Sequence, residues 1–86
     1  MGHFFTVADV LKAPNGDVVI AGASSRLNAM SDSAIKGCVG RQVKIQGRVV
    51  DVVGIEIGTS PFGGKNIFID VGKNTSVAKG QVVSVI

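Results

Sequence analysis

Apolar and polar residues alternate with period two over much of this chain, and that alternation predicts strands. From His3 to Leu11, Phe5 and Val7 alternate with Phe4, Thr6 and Ala8. Pro14-Asn15-Gly16-Asp17 follows, and Asp17 to Ala23 resumes with Val18-Val19-Ile20 as a short buried run. Asn-Gly between two apolar runs predicts a hairpin, because both residues tolerate φ > 0. The longest pattern spans Gln42 to Ile57. There Val43, Ile45, Val49, Val53, Ile55 and Ile57 share one parity, and Lys44, Gln46, Arg48 and Glu56 share the other. The first set is therefore expected to face one interior. The run exceeds an ordinary strand, so Gly47 and Gly54 are expected to mark bends or bulges. Asp51 falls on the apolar parity, and a bulge turning it to solvent is expected. Asn66 to Val71 predicts a strand with Ile67, Ile69 and Val71 inward and Phe68 and Asp70 opposite, and Gln81 to Ile86 predicts a last strand.

Ser24 to Gly37 interrupts this alternation. It is polar and lacks a clean period, so it reads as a long loop of the kind that carries function or association. Ser31 or Ser33 is placed to cap one helical turn through Ala34, Ile35 and Lys36, with Gly37 as its stop. The expected fold is all-β: one domain over residues 1–86, a small six-stranded Greek-key-like barrel, closed or partly open, with at most one short helical turn near 31–37.

Composition supports strands and narrows the chemistry. The apolar fraction is 45%, enough for a packed core, and Val and Ile outnumber Leu. At 86 residues the core is small, and the single cysteine, Cys38, leaves no intrachain disulfide to reinforce it. Nine Lys or Arg against six Asp or Glu give +3, a mild basic bias compatible with an ordinary solvated surface. No apolar stretch is long enough to span a bilayer, and the start lacks the basic and apolar regions of a signal peptide, so a cytoplasmic protein is expected.

Four segments carry a family likeness. Phe5-Thr6-Val7-Ala8-Asp9-Val10 is a Phe-containing strand ending in Asp-Val. Gly16-Asp17-Val18-Val19-Ile20-Ala21-Gly22 is a glycine-bearing hairpin entering a Val-Val strand. Ile35-Lys36-Gly37 precedes Val43-Lys44-Ile45, and Val77-Ala78-Lys79-Gly80-Gln81-Val82 fits a Val-x-x-Gly-Gln-Val strand. Together they resemble the second domain of translational GTPases such as elongation factor Tu. The resemblance implies a six-stranded barrel and contacts with a GTPase domain, the aminoacyl end of transfer RNA, or ribosomal RNA. It implies no GTP hydrolysis, since no GTPase domain accompanies it here.

Catalytic readings find little support. Gly58-Thr59-Ser60-Pro61-Phe62-Gly63-Gly64-Lys65-Asn66 is glycine-rich, but Gly64 stands where a phosphate loop needs Lys, and Asn66 replaces its Ser/Thr. A strand follows where that motif needs a helix N-terminus. Cys38 lies far in sequence from His3 and reads as a small core residue. The carboxylates are well spaced, and no Ser sits in a Gly-x-Ser-x-Gly elbow. No enzymatic activity, cofactor or metal is expected.

Binding roles remain. Arg41, Lys44 and Arg48 are placed to form a basic stripe on one sheet face, joined by Lys65 and Lys73, as a footprint for RNA. With no Trp or Tyr, aromatic platforms are scarce. The loop Ser60, Pro61, Phe62, Gly63 and Gly64 is a candidate interaction loop. Small core, Val/Ile richness and exposed edges favour pairing between chains. A protein-interaction or self-assembly module is thus the leading expectation, with a homo-oligomer or protein partner. RNA or ribonucleoprotein binding is the alternative, and a small ligand in a barrel mouth a third. Neither a membrane nor DNA is an expected partner.

Overall fold

The computed structural model describes residues 3–59, 61, 64–73 and 75–86, with backbone alone at His3, Ser25 and Arg26. Strands β1 (His3–Lys12) and β2 (Val18–Ala23) form the expected hairpin, in register down to Lys12 opposite Val18. Its turn is closed by the Ala13 amide donating to Asp17 O (2.8 Å) and the Gly16 amide to Ala13 O (2.9 Å). Asn15 Oδ1 accepts from the Asp17 amide at 2.9 Å, and Gly16 takes φ +93°. These are the roles that make Asn-Gly a turn former.

β1 is irregular twice, between His3 and Phe5 and between Val7 and Asp9. Adjacent residues of a regular strand point to opposite faces, so a slip at Phe4 is what lets both Phe4 and Phe5 be buried. Their rings lie 5.7 Å apart and tilted. Phe5 fits only because Gly22, directly opposite Val7 on the adjacent strand, has no side chain where the Phe5 ring lies. A Cβ there would stand 2.1 Å from the Phe5 ring.

Two helices replace the single turn expected near 31–37. α1 (Ser25–Asn28) is one turn, and α2 (Asp32–Val39) runs past Gly37. Ser31 is its N-cap, with Oγ accepting from the Ala34 amide at 3.1 Å. Helical spacing puts Ile35 and Val39 together in the core, which holds the helix across Gly37. The stop is Gly40, at φ +62°, whose amide donates to Lys36 O at 3.2 Å.

The long pattern from Gln42 to Ile57 is three strands, not one: β3 (Gln42–Ile45), β4 (Arg48–Asp51) and β5 (Gly54–Thr59). Gln46 and Gly47 both take positive φ, +51° and +83°, and reverse the chain in two residues. Partners across this hairpin are Ile45 with Arg48, Lys44 with Val49, Val43 with Val50 and Gln42 with Asp51. Each odd number therefore faces an even one, and the apolar parity inverts at the turn. Val43 and Ile45 are fully buried, whereas Val49 and Val53 are 53% and 64% exposed, and Ile55 and Ile57 are half-buried. Val43, Ile45, Ile55 and Ile57 share one interior, and the expectation is corrected for Val49 and Val53. Asp51 is exposed because of this register, not through a bulge, and accepts from Gln42 Nε2 at 2.9 Å.

β6 (Lys65–Asp70) buries Ile67 and Ile69, with Val71 just beyond, and β7 (Val82–Val85) buries Val83. The framework is all-β. Among the described residues seven antiparallel strands lie in the order β4-β3-β7-β1-β2-β6-β5, so consecutive β4 and β5 stand at opposite ends of the sheet. The two residues between them point their amides to those opposite ends: Val52 N–H donates to Arg41 O (2.8 Å) and Val53 N–H to Asp70 O (2.8 Å). In this order β4 and β5 are the two ends of the sheet, and the strand expected to run on through 42–57 is broken at Gln46-Gly47 and again at Val52-Val53.

Candidate interaction surfaces

Directly opposed residues in an antiparallel ladder share a face, so the registers define what the sheet presents outward. Across β1, β2, β6 and β5 one outward row is Leu11, Val19, Asp70 and Gly54, and the next is Asp9, Ala21, Phe68 and Glu56. Leu11 is 44% exposed, and Val19, Ala21 and Phe68 are half-buried; Leu11, Val19 and Phe68 are not part of the hydrophobic core cluster. A shallow cleft of about 370 Å³ opens here, lined by Val19, Gly54, Ile55, Glu56, Phe68 and Asp70. It exists because Gly54 places no side chain opposite Asp70. A Cβ there would meet nothing within 4 Å.

This face is acidic in a chain of net charge +3. Asp9, Glu56 and Asp70 lie on it, and no Lys or Arg takes an outward register position on its four strands. Asp70 Oδ1 accepts from the Gly72 amide at 2.8 Å, and Asp9 lies 3.8 Å from Lys79 Nζ on the exposed surface. Glu56 has no hydrogen-bond or ionic partner among the described residues.

The outer face of β4, β3 and β7 has another character. Val49, Lys44 and Ser84 form a row, flanked by Gln42 and Asp51. Beside it lies a depression of about 320 Å³ at the α2–β3 junction, lined by residues that include Cys38, Arg41, Gln42 and Ile86. Val49, Val82 and Ile86 are exposed apolar side chains, and Arg41 and Lys44 are exposed cations. Cys38 is exposed on α2, which corrects its reading as a core residue.

The five cations expected to act together are dispersed. Lys44 points outward, but Arg48 sits opposite inward-facing Ile45 and so lies on the other face. Its Nη2 donates to Ser76 O at 2.5 Å. Lys65 is an internal tether: its ammonium donates to Met30 O and pairs with Asp32 at 3.1 Å, and its amide donates to Asn28 Oδ1 at 2.9 Å. Lys73 is exposed in the β6–β7 connection, beside Gly16 of the first hairpin. Arg41 and Lys44 alone keep the neighbourhood assigned to them. Shared parity places Lys44 and Arg48 on one face only if the strand is continuous, and the Gln46-Gly47 turn inverts it. Of the candidate loop, Ser60, Phe62 and Gly63 lie outside the described residues, while Pro61 is exposed and Gly64 half-buried.

Among the described residues, no group of three or more His, Cys, Asp or Glu side chains is gathered for a metal, and no helix is long and apolar enough to cross a membrane. Comparison with known proteins finds no matching family model, curated protein or solved structure.

Proposed function

We propose that this protein is a non-enzymatic assembly module that associates with itself through the outer face of β1, β2, β6 and β5. The observation that carries the reading is the run of outward Leu11, Val19, Ala21 and Phe68, beside a cleft left by Gly54. Singly exposed apolar residues need no explanation, but contiguous ones rimmed by charge mark contact surfaces. On the same reading, residues 48–59 act as one bent strand that pairs with β3 along its first half and with β6 along its second. That arrangement would close a six-stranded barrel, and the oppositely directed Val52 and Val53 amides support it. A likeness to the barrel of translational GTPases rests on the sequence motifs, and the RNA contact it implies lacks a gathered set of cations.

Sedimentation equilibrium over a wide concentration range tests the proposal. The expected result is a mass above that of the monomer that falls to the monomer value in Ala21→Lys, which places a charge at the centre of the face without touching the interior. A monomer at every concentration would refute it.

A further inference from the structure

The sheet presents two outer faces that differ in sign. One combines Leu11, Val19 and Phe68 with the carboxylates Asp9, Glu56 and Asp70. The other combines Val49 with Lys44 and has Arg41 nearby. Each side offers apolar side chains that are at least partly exposed to water, and each has a charge of its own without a partner among the described residues. Glu56 has none on the first face, and Lys44 and Arg41 have none on the second, among the described residues. Asp51, the carboxylate on the second face, is engaged by Gln42 Nε2 at 2.9 Å.

We infer that the occupant of the acidic face is the basic β3–β4 face of a second copy of this chain. The inference rests on the self-association proposed above and adds its geometry: a head-to-tail contact between unlike surfaces. Opposite potentials on apolar patches favour this orientation, while like faces brought together repel. Glu56, flanked along β5 by Gly54 and Gly58, stands free for a cation to approach over the Phe68 ring. Both carboxylate and ring attract an ammonium or guanidinium. A heterologous contact of this type has no built-in stop, so it yields rings or open chains rather than a closed symmetric pair.

The test uses the full chain and solution mass. At low ionic strength the mass is expected to rise with concentration, and to fall on adding salt, because exposed charge pairs are screened within about a Debye length, roughly 10 Å at 0.1 M and 3 Å at 1 M. Glu56→Lys and Lys44→Glu, both at exposed side chains that hold nothing in the fold, should each weaken association by about tenfold or more, since like charges in an interface cost several kcal/mol. An equimolar mixture of the two variants should associate again, because each supplies the face the other needs. Association abolished by Ala21→Lys but indifferent to salt and to Lys44→Glu would overturn the head-to-tail geometry while leaving self-association standing. Two single variants that lose association and do not recover it on mixing would also overturn it. A monomer under all conditions would overturn both.

Discussion

The two halves of the sheet were built by different rules. In β1, β2 and β6 the alternation runs on from strand to strand, and every buried residue lies where period two puts it once the slips in β1 are allowed for. In the β3–β4 hairpin the alternation is equally regular in the sequence, yet half of it is exposed. The difference is a single turn. Gln46-Gly47 reverses the chain in two residues, and an even-numbered turn pairs odd positions with even ones. A parity pattern that continues through such a turn thus marks opposite faces, and Val43 and Val49 are its two outcomes.

The largest expected effect tests the regular half. Gly22→Ala forces a Cβ to within 2.1 Å of the Phe5 ring, against a backbone oxygen at 2.8 Å as well. Neither neighbour can yield without opening the hairpin. A loss of about 3 kcal/mol or more in denaturant unfolding is expected, enough to unfold much of a domain this small. A stable variant would mean that the two strands are not packed in this register.

The hairpin can be probed by two adjacent truncations. Val50→Ala removes a side chain packed on the core opposite Val43, and should cost about 1–2 kcal/mol. Val49→Ala removes one that is mostly exposed, and should cost less than about 0.5 kcal/mol. Reversal of that order would restore a single strand through 42–57. Gly47→Ala, at φ +83°, should cost about 1 kcal/mol by imposing a left-handed conformation on a residue with a Cβ. An unchanged denaturation midpoint would show that the turn is of another kind. Ser31→Ala removes the α2 cap and should cost about 0.5–1 kcal/mol, read as faster amide exchange at Ala34 with β1 and β2 unaffected.

What could be read in advance follows from how local each determinant is. The Asn15-Gly16 turn, the inward Ile67 and Ile69, and the Ser31 cap depend on a few neighbouring residues, and the sequence carries them openly. Gln46-Gly47 was legible only as a bend at Gly47, since Gln is an unusual choice for the first positive-φ position. Gln46 also earns its place otherwise: its Oε1 accepts from the Val82 amide at 2.7 Å, a partner far along the chain. The continuation of α2 past Gly37 depends on Ile35 and Val39 reaching a core assembled from distant strands. The candidate surface was half visible. Phe68 and Asp70 were assigned to the side away from Ile67 and Ile69, but only the ladder registers bring Leu11, Val19 and Glu56 beside them. The basic stripe failed for the same reason in reverse, because three of its members are separated by pairings that no local pattern encodes.

Lys65 gives the fold an order of events. Three of its bonds, to Asn28, Met30 and Asp32, hold the helical segment against a strand that the chain reaches more than thirty residues later. During synthesis the segment 25–39 must leave the ribosome with its anchor still unmade. A chain stopped before Lys65 would carry Leu27, Ile35 and Val39 without Ile67, Ile69 and Val83, which belong to the same core, so truncated or stalled products should be the ones that aggregate.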